Sequence, residues 1–252
     1  MSDATPNATM PATATPDSAR VPGLLSRAIG IITSPTAMYA HVVRSPKVAG
    51  MLFLVALLQG LAIGVPQFTE RGRMAALEMQ VQATESFGMT VTDEMYQQME
   101  QRARNSNLSA YVAIVTQFAG VPFGALVLTT LLWAVFNTML GGTATFKQVM
   151  SVLVHSQIIS ALGTVFSAPI MYARGVMQAG SVANLGAALP MLDESSFAAK
   201  ALGAVDLFMI WWIVVLSIGL AALFKRKTAG IATGLFVVYG VIVLAIAYFT
   251  SR

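Results

Sequence analysis

The sequence predicts an all-α, polytopic membrane protein, a helical bundle of five transmembrane helices. Three observations carry this. Of 252 residues, 56% are hydrophobic and only 10% are charged, with a mean hydropathy of +0.70, where a soluble domain carries about 25% charge. The run from Leu207 to Phe224 holds no charged residue. As a helix it would be about 27 Å long, close to the roughly 30 Å of a bilayer's hydrocarbon core. That run is also apolar on every side, and such a helix is buried in protein or lies in lipid.

Residues 1–20 (MSDATPNATMPATATPDSAR) form an Ala/Thr/Pro tract. It has no apolar h-region of a signal peptide and too little apolar surface to fold, so a disordered tail is expected. Residues 21–47 read as an amphipathic, interfacial segment. Leu24, Leu25, Ala28, Ile29 and Ile32 line one side, and Pro35 breaks the run. Met38, Tyr39, Val42 and Val43 follow. Two readings stand for this segment. Arg27, Arg44 and Lys47 face phosphate head groups, or the helices pack on the protein's own spans.

Residues 48–250 form the membrane domain. Its spans are expected at Val48 to about Pro66, within Tyr111 to Leu140, at about Val149 to Ala173, at Val205 to Phe224 and at Ala229 to Phe249. Pro122 is expected to bend the second span or mark its start. The loop 67–110 reads as two short helices. Thr92 is placed to cap the second, with Asp93 and Glu94 in its first turn and Arg102 and Arg104 in its last, a distribution that suits the helix dipole. This loop is either an extramembrane partner surface or a solvated connection resting on the membrane.

Five spans put the termini on opposite sides. One side carries Arg20, Arg27, Arg44, Lys47, Lys147, Lys225, Arg226 and Lys227. The other carries Arg71, Arg73, Arg102, Arg104, Arg174, Lys200 and Arg252. The totals hardly differ, but the Lys225–Lys227 turn is almost wholly basic and the loop 67–110 holds more acids than bases. The bias of cytoplasmic loops toward Lys and Arg then predicts a cytoplasmic N-terminus and an external C-terminus in a cell membrane, a bacterial inner membrane. The net charge of +4 follows from this bias and calls for no nucleic acid.

Three small-residue pairs, Gly60/Gly64, Gly120/Gly124 and Gly230/Gly234, sit one turn apart and let helices approach closely. They serve packing within the chain or association with a membrane-protein partner or a second copy. Ser156, Ser160, Gly163 and Ser167 make a similar stripe on the third span. Ionisable groups inside membranes are functional pointers. Here they are Asp206, at the head of the fourth span, and His155, about two turns into the third. Asp206 reads as a helix start or an ion site, and His155 as a neutral packing group or part of a polar path. With no cysteine, no HExxH, no Walker loop and no GxSxG elbow, no catalytic residue, metal site or cofactor is expected. The chain reads as non-enzymatic.

Gly141-Gly142-Thr143-Ala144-Thr145-Phe146-Lys147-Gln148 stands before the third span, and Asp206-Leu207-Phe208-Met209-Ile210-Trp211 opens the fourth. Asn184 to Leu192 precedes it, and Ser34-Pro35 and Ser45-Pro46 stand early. This order resembles the bacterial branch of the Yip (Ypt/Rab-interacting protein) domain family from about Leu24 to Phe249. The resemblance implies five spans, a cytoplasmic N-terminus and a far-side C-terminus, with Gly141, Gly142, Phe146, Gln148, Asp206 and Trp211 as motif positions of unassigned chemistry. Eukaryotic relatives are partners of lipidated GTPases in vesicle traffic, but this N-terminal region is short and lacks their long cytoplasmic domain. The leading expectation is therefore a scaffold that binds partners or organises membrane, in contact with lipid. The alternative is a small transporter or channel with Asp206 and His155 along a polar path.

Overall fold

Inside a bilayer there is no water to bond the backbone, so each segment must close its own hydrogen bonds, and helices do so. The computed structural model describes residues 22–86, 88–177, 181–186, 191 and 196–250. The tail 1–20 lies outside these residues. Five helices are long and apolar enough to cross a membrane: Ala49–Phe68, Leu108–Met139, Phe146–Arg174, Leu207–Phe224 and Thr228–Phe249.

In chain order the helices are α1 (Leu24–Thr33), α2 (Pro35–Arg44), α3 (Ala49–Gly64, prolonged by the 3₁₀ turn Val65–Phe68), α4 (Glu70–Ser86) and α5 (Asp93–Asn105). Then come α6 (Leu108–Trp133, ending in the π-helical turn Ala134–Met139), α7 (Phe146–Arg174), α8 (Phe197–Gly203), α9 (Leu207–Phe224) and α10 (Thr228–Thr250). The second span begins at Leu108, well before Pro122, and passes through it as one helix, so Pro122 does not mark its start. A proline in a span is tolerated because the membrane offers no alternative to the helix.

The central element is α7. Its most apolar window is 61% buried within the chain, against 11% for α10. Around it α3 packs against α6 and α7, α9 packs against α7, and α10 packs against α9 and α8. Glycines permit the closest approaches. A Cβ at Gly163 of α7 would lie 2.8 Å from Phe208, and one at Gly219 of α9 would lie 2.6 Å from Val152 and 2.7 Å from the Tyr39 ring. Of the three small-residue pairs, Gly60/Gly64 closes a contact inside the chain. A Cβ at Gly60 would stand 3.2 Å from the Ile114 carbonyl, and one at Gly64 would overlap the Ile114 side chain. At Gly120, Gly124, Gly230 and Gly234 nothing lies within 4 Å.

The segment α1–α2 is docked into the bundle on one side. Ile31, Tyr39 and Val42 are buried in the same core as Val149, Val152 and Leu216. Arg27 is also buried, at 8% exposure, so its placement among head groups is corrected. It lies with Ala28 and Ile31 on the inward face of α1. The outward face shows Leu25 and Ile29, both at least 60% exposed. Burial raises the Tyr39 phenol well above its ordinary range, against a smaller lowering from its bond to Ser156, and its hydroxyl donates to the Val152 carbonyl at 3.4 Å.

Helices α4 and α5 form a hairpin outside the spans. Thr92 caps α5, accepting from the Met95 amide at 3.3 Å. Arg73 donates to the Ala103 carbonyl at 2.5 Å and to the Asn107 side chain at 2.8 Å. Tyr96 donates to Glu78 at 2.9 Å, and Arg104 pairs with Glu70 and Glu100.

The acids are sorted to one end, while bases stand at both, Arg71, Arg73, Arg102, Arg104, Arg174 and Lys200 being with the acids. Among the described residues every acid (Glu70, Glu78, Glu85, Asp93, Glu94, Glu100 and Asp206) lies at the end that carries α4, α5 and the start of α9. The other end, with α1, α2 and the turns after α6 and α9, carries Arg27, Arg44, Lys47, Lys147, Lys225, Arg226 and Lys227. This second end is called the basic end below.

Replacing Gly219 by leucine should force Tyr39 and Val152 apart and destabilise the fold by about 1–3 kcal/mol, the usual cost of overpacking. Gly120→Leu should leave stability unchanged. Thermal unfolding of the two variants in detergent checks the contrast.

Candidate functional site

The turn between α6 and α7 is a clasp at the basic end. After the π-helical turn, Gly141 takes a left-handed conformation (φ 68°), which costs glycine nothing. Gly142 runs so close to its surroundings that a Cβ would lie 2.6 Å from the Phe224 ring and 2.8 Å from the Asn137 side chain. Asn137 then bonds both faces of Ala144, donating to its carbonyl at 2.7 Å and accepting from its amide at 3.2 Å. Thr145 and Gln148 form a reciprocal capping box at the start of α7, satisfying amides that have no partner within the helix. Phe146 is the first residue of that helix. Arg226 donates to the Leu140 carbonyl at 2.6 Å, and Phe136 stacks on Phe224 at 4.8 Å. The two turns of the basic end are thereby joined.

At the opposite end Asp206 caps α9. Its Oδ1 accepts from the Met209 amide at 2.9 Å, and its backbone forms an antiparallel bridge with Asn184. Tyr239 of α10 donates to the Ala204 carbonyl at 2.6 Å. In the first turn of α9, Phe208 seats over Gly163, with Trp211 stacked near it at 6.4 Å.

Beside this cap lies a cavity of about 690 Å³ between α3, α4, α6, α7 and α9, within the 300–1,000 Å³ usual for small-molecule sites. Ala62, Ile63, Ala113, Ala168 and Met171 give it apolar walls, while Gln67, Gln117, Ser160, Thr164 and Ser167 line it with uncharged polar groups. Gln59 donates to Ser160 at 3.5 Å. Asp206 and Arg71 are the charged side chains of the lining, and Trp212 and Tyr239 complete the wall by the start of α9. Two buried polar atoms of lining residues, Asp206 Oδ2 and Trp212 Nε1, have no hydrogen-bond partner among the described residues.

His155 lies elsewhere and does not line this cavity. It is wholly buried in the basic-end half of α7. Its Nδ1 stands 2.7 Å from the Ser151 carbonyl. A carbonyl only accepts, so Nδ1 carries the hydrogen. His155 Nε2, Ser151 Oγ and Arg27 Nε lack partners among the described residues. Asp206 and His155 are thus in separate polar regions. Among the described residues no group of three or more His, Cys, Asp or Glu could hold a metal.

The family model of the Yip1 domain matches residues 29–249. The chain belongs to the Yip1 domain family. It is also similar to the membrane protein YknW of Bacillus subtilis (strain 168), with 24% identity over 209 residues, covering 81% of this chain and 78% of YknW. No solved structure matches. The six residues that carry the resemblance now have local accounts. Gly141 and Gly142 make the turn, Phe146 and Gln148 start α7, and Asp206 starts α9. Trp211 stacks near the seat of that helix.

Sequence reasoning missed Trp212 and Tyr239, whose polar atoms gain meaning only from the approach of α10 to the start of α9. It also missed Arg71, a loop arginine drawn over the Tyr172 ring at 5.8 Å. The Thr145-x-x-Gln148 spacing was a readable capping-box signal.

Thr145→Ala should cost about 1 kcal/mol, the typical value of an N-cap. Asp206→Ala should cost a similar amount, while Asp206→Asn, an equally good cap, should stay near the parent. Unfolding midpoints in detergent or denaturant read all three.

Proposed function

We propose that this Yip1 protein is a non-enzymatic scaffold of the bacterial inner membrane, binding a partner protein's transmembrane helix, with its N-terminus in the cytoplasm and its C-terminus outside. The observation that carries the reading is the open face of α10. Gly230 and Gly234 have nothing within 4 Å, and α10 is the least buried of the five spans. Gly60/Gly64 illustrates what the same spacing does when a helix is present, because there α6 comes close enough for backbone contact. Small faces of this kind drive helix association in lipid by packing. The Lys225–Lys227 turn supports the orientation, since short cytoplasmic loops are enriched in Lys and Arg.

Photo-crosslinking in cells from an unnatural residue at Val237, which is 60% exposed on α10, tests the reading. A partner membrane protein should be captured in near-equal amount and lost in Gly230→Leu/Gly234→Leu, with thermal stability unchanged. Self-crosslinks alone would replace the partner by a second copy, and no crosslink would sink the reading. Because the chain has no cysteine, single cysteines report its topology. Gln98→Cys should react with a membrane-impermeant maleimide in intact cells, and Lys227→Cys only after permeabilisation.

The cavity at Asp206 favours a second reading, a small transporter or channel. The scaffold reading expects equal solute flux through liposomes carrying the parent or Asp206→Asn, and a loss of flux in the variant would favour transport.

A further inference from the structure

The cavity beside the start of α9 has a chemical character of its own, independent of the scaffold reading. Its walls run from Asp206 and Arg71 to Ser160, which lies near the middle of α7. They therefore pass from charged groups to apolar and uncharged polar ones. The two charged groups differ in what they still need. The guanidinium of Arg71 donates to the Ala173 carbonyl at 2.6 Å and lies over the Tyr172 ring. Asp206 uses one oxygen to cap α9, and its second, Oδ2, is buried without a partner among the described residues. A buried acceptor without a donor is costly, and a carboxylate bonds most strongly to a charged donor. Trp212 Nε1, also buried and unpartnered, adds a donor on the same wall.

We propose that this cavity binds an ammonium-bearing amphiphile, with the ammonium on Asp206 Oδ2 and the alkyl chain among Ala62, Ala113, Ala168 and Met171. Two sources supply this chemistry: a free alkylamine, or the ammonium of a phosphatidylethanolamine headgroup with one chain lodged in the cavity.

The test uses the full chain in phosphatidylcholine nanodiscs, whose quaternary headgroup has no N–H to donate. Calorimetric titrations with n-octylamine, n-octanol and octanoate are corrected by matched empty discs. Octylamine should bind saturably at one site per chain, with octanol and octanoate at least about tenfold weaker. Asp206→Asn keeps the helix cap and should weaken octylamine at least about tenfold while leaving octanol unchanged. Thr164→Phe, which places a ring in the cavity, should abolish binding. If that variant fails to fold, Asp206→Asn alone decides. Heats equal to those of empty discs, equal affinities for octylamine and octanoate, or equal octylamine binding by the parent and Asp206→Asn would each overturn the proposal. Adding phosphatidylethanolamine to the discs separates the sources. Suppression of octylamine binding assigns the lipid headgroup, and unchanged binding assigns the free amine.

Discussion

The seating of α9 on α7 is the contact on which the rest of this chain depends. Two glycines, one on each helix, bring them together. Gly163 lies under Phe208 toward one end, and Gly219 meets Val152 and Tyr39 toward the other. In lipid there is no hydrophobic drive between helices, so close packing must supply the attraction. The first contact sets the start of α9, and with it the position of Asp206 beside the cavity. The second makes the recess in which Tyr39 of α2 is buried, and this holds the N-terminal helices against the basic end. Both turns of the basic end are then placed by the same pair of helices, through the capping box at the start of α7 and Phe224 at the end of α9.

Much of this was legible in the sequence because it is written in length and spacing. An uncharged run as long as a bilayer is thick can be counted, so the spans were found close to their true ends. Helix starts are also local. Thr92, Thr145 and Asp206 each have a capping side chain and an amide three residues on, and all three caps exist. What could not be read depends on which neighbour arrives. Gly60 and Gly230 stand in the same spacing, yet Ile114 comes close to the first and nothing lies within 4 Å of the second. Arg27 has the surroundings expected of a head-group contact, but it is buried on the inward face of α1. Pro122 carries the usual helix-breaking signal, which the membrane overrides. Asp206 and His155 are the two ionisable groups singled out in the spans, and only the alternative reading sets them along one path; Asp206 lines the cavity, while His155 is buried elsewhere.

Charge and polarity are unevenly managed. The acids and bases of the α4–α5 hairpin largely satisfy each other or the backbone, as Arg73 and Arg104 do. Inside the membrane domain the polar groups are fewer and less completely paired. On α1, docked against that domain, Arg27 is buried with no hydrogen-bond partner for its Nε among the described residues, and the described acids all lie at the other end. A low-dielectric interior makes such groups expensive. Such unpartnered atoms stand at His155 and Ser151 and at Asp206 and Trp212, and also at Ser109, Thr129 and Gln157.

Tyr239 gives α10 a reach beyond its own contacts. Its hydroxyl holds the Ala204 carbonyl, two residues before the carboxylate that caps α9, while the opposite side of the same helix is open. A neighbour that tilts α10 carries this hydroxyl with it and alters the wall beside Asp206. Thermodynamic linkage then acts in both directions. Whatever free energy the neighbour spends in reshaping that wall, a molecule bound against it returns as a changed affinity for the neighbour, so a single phenol makes the rim of the bundle and its interior answer to each other.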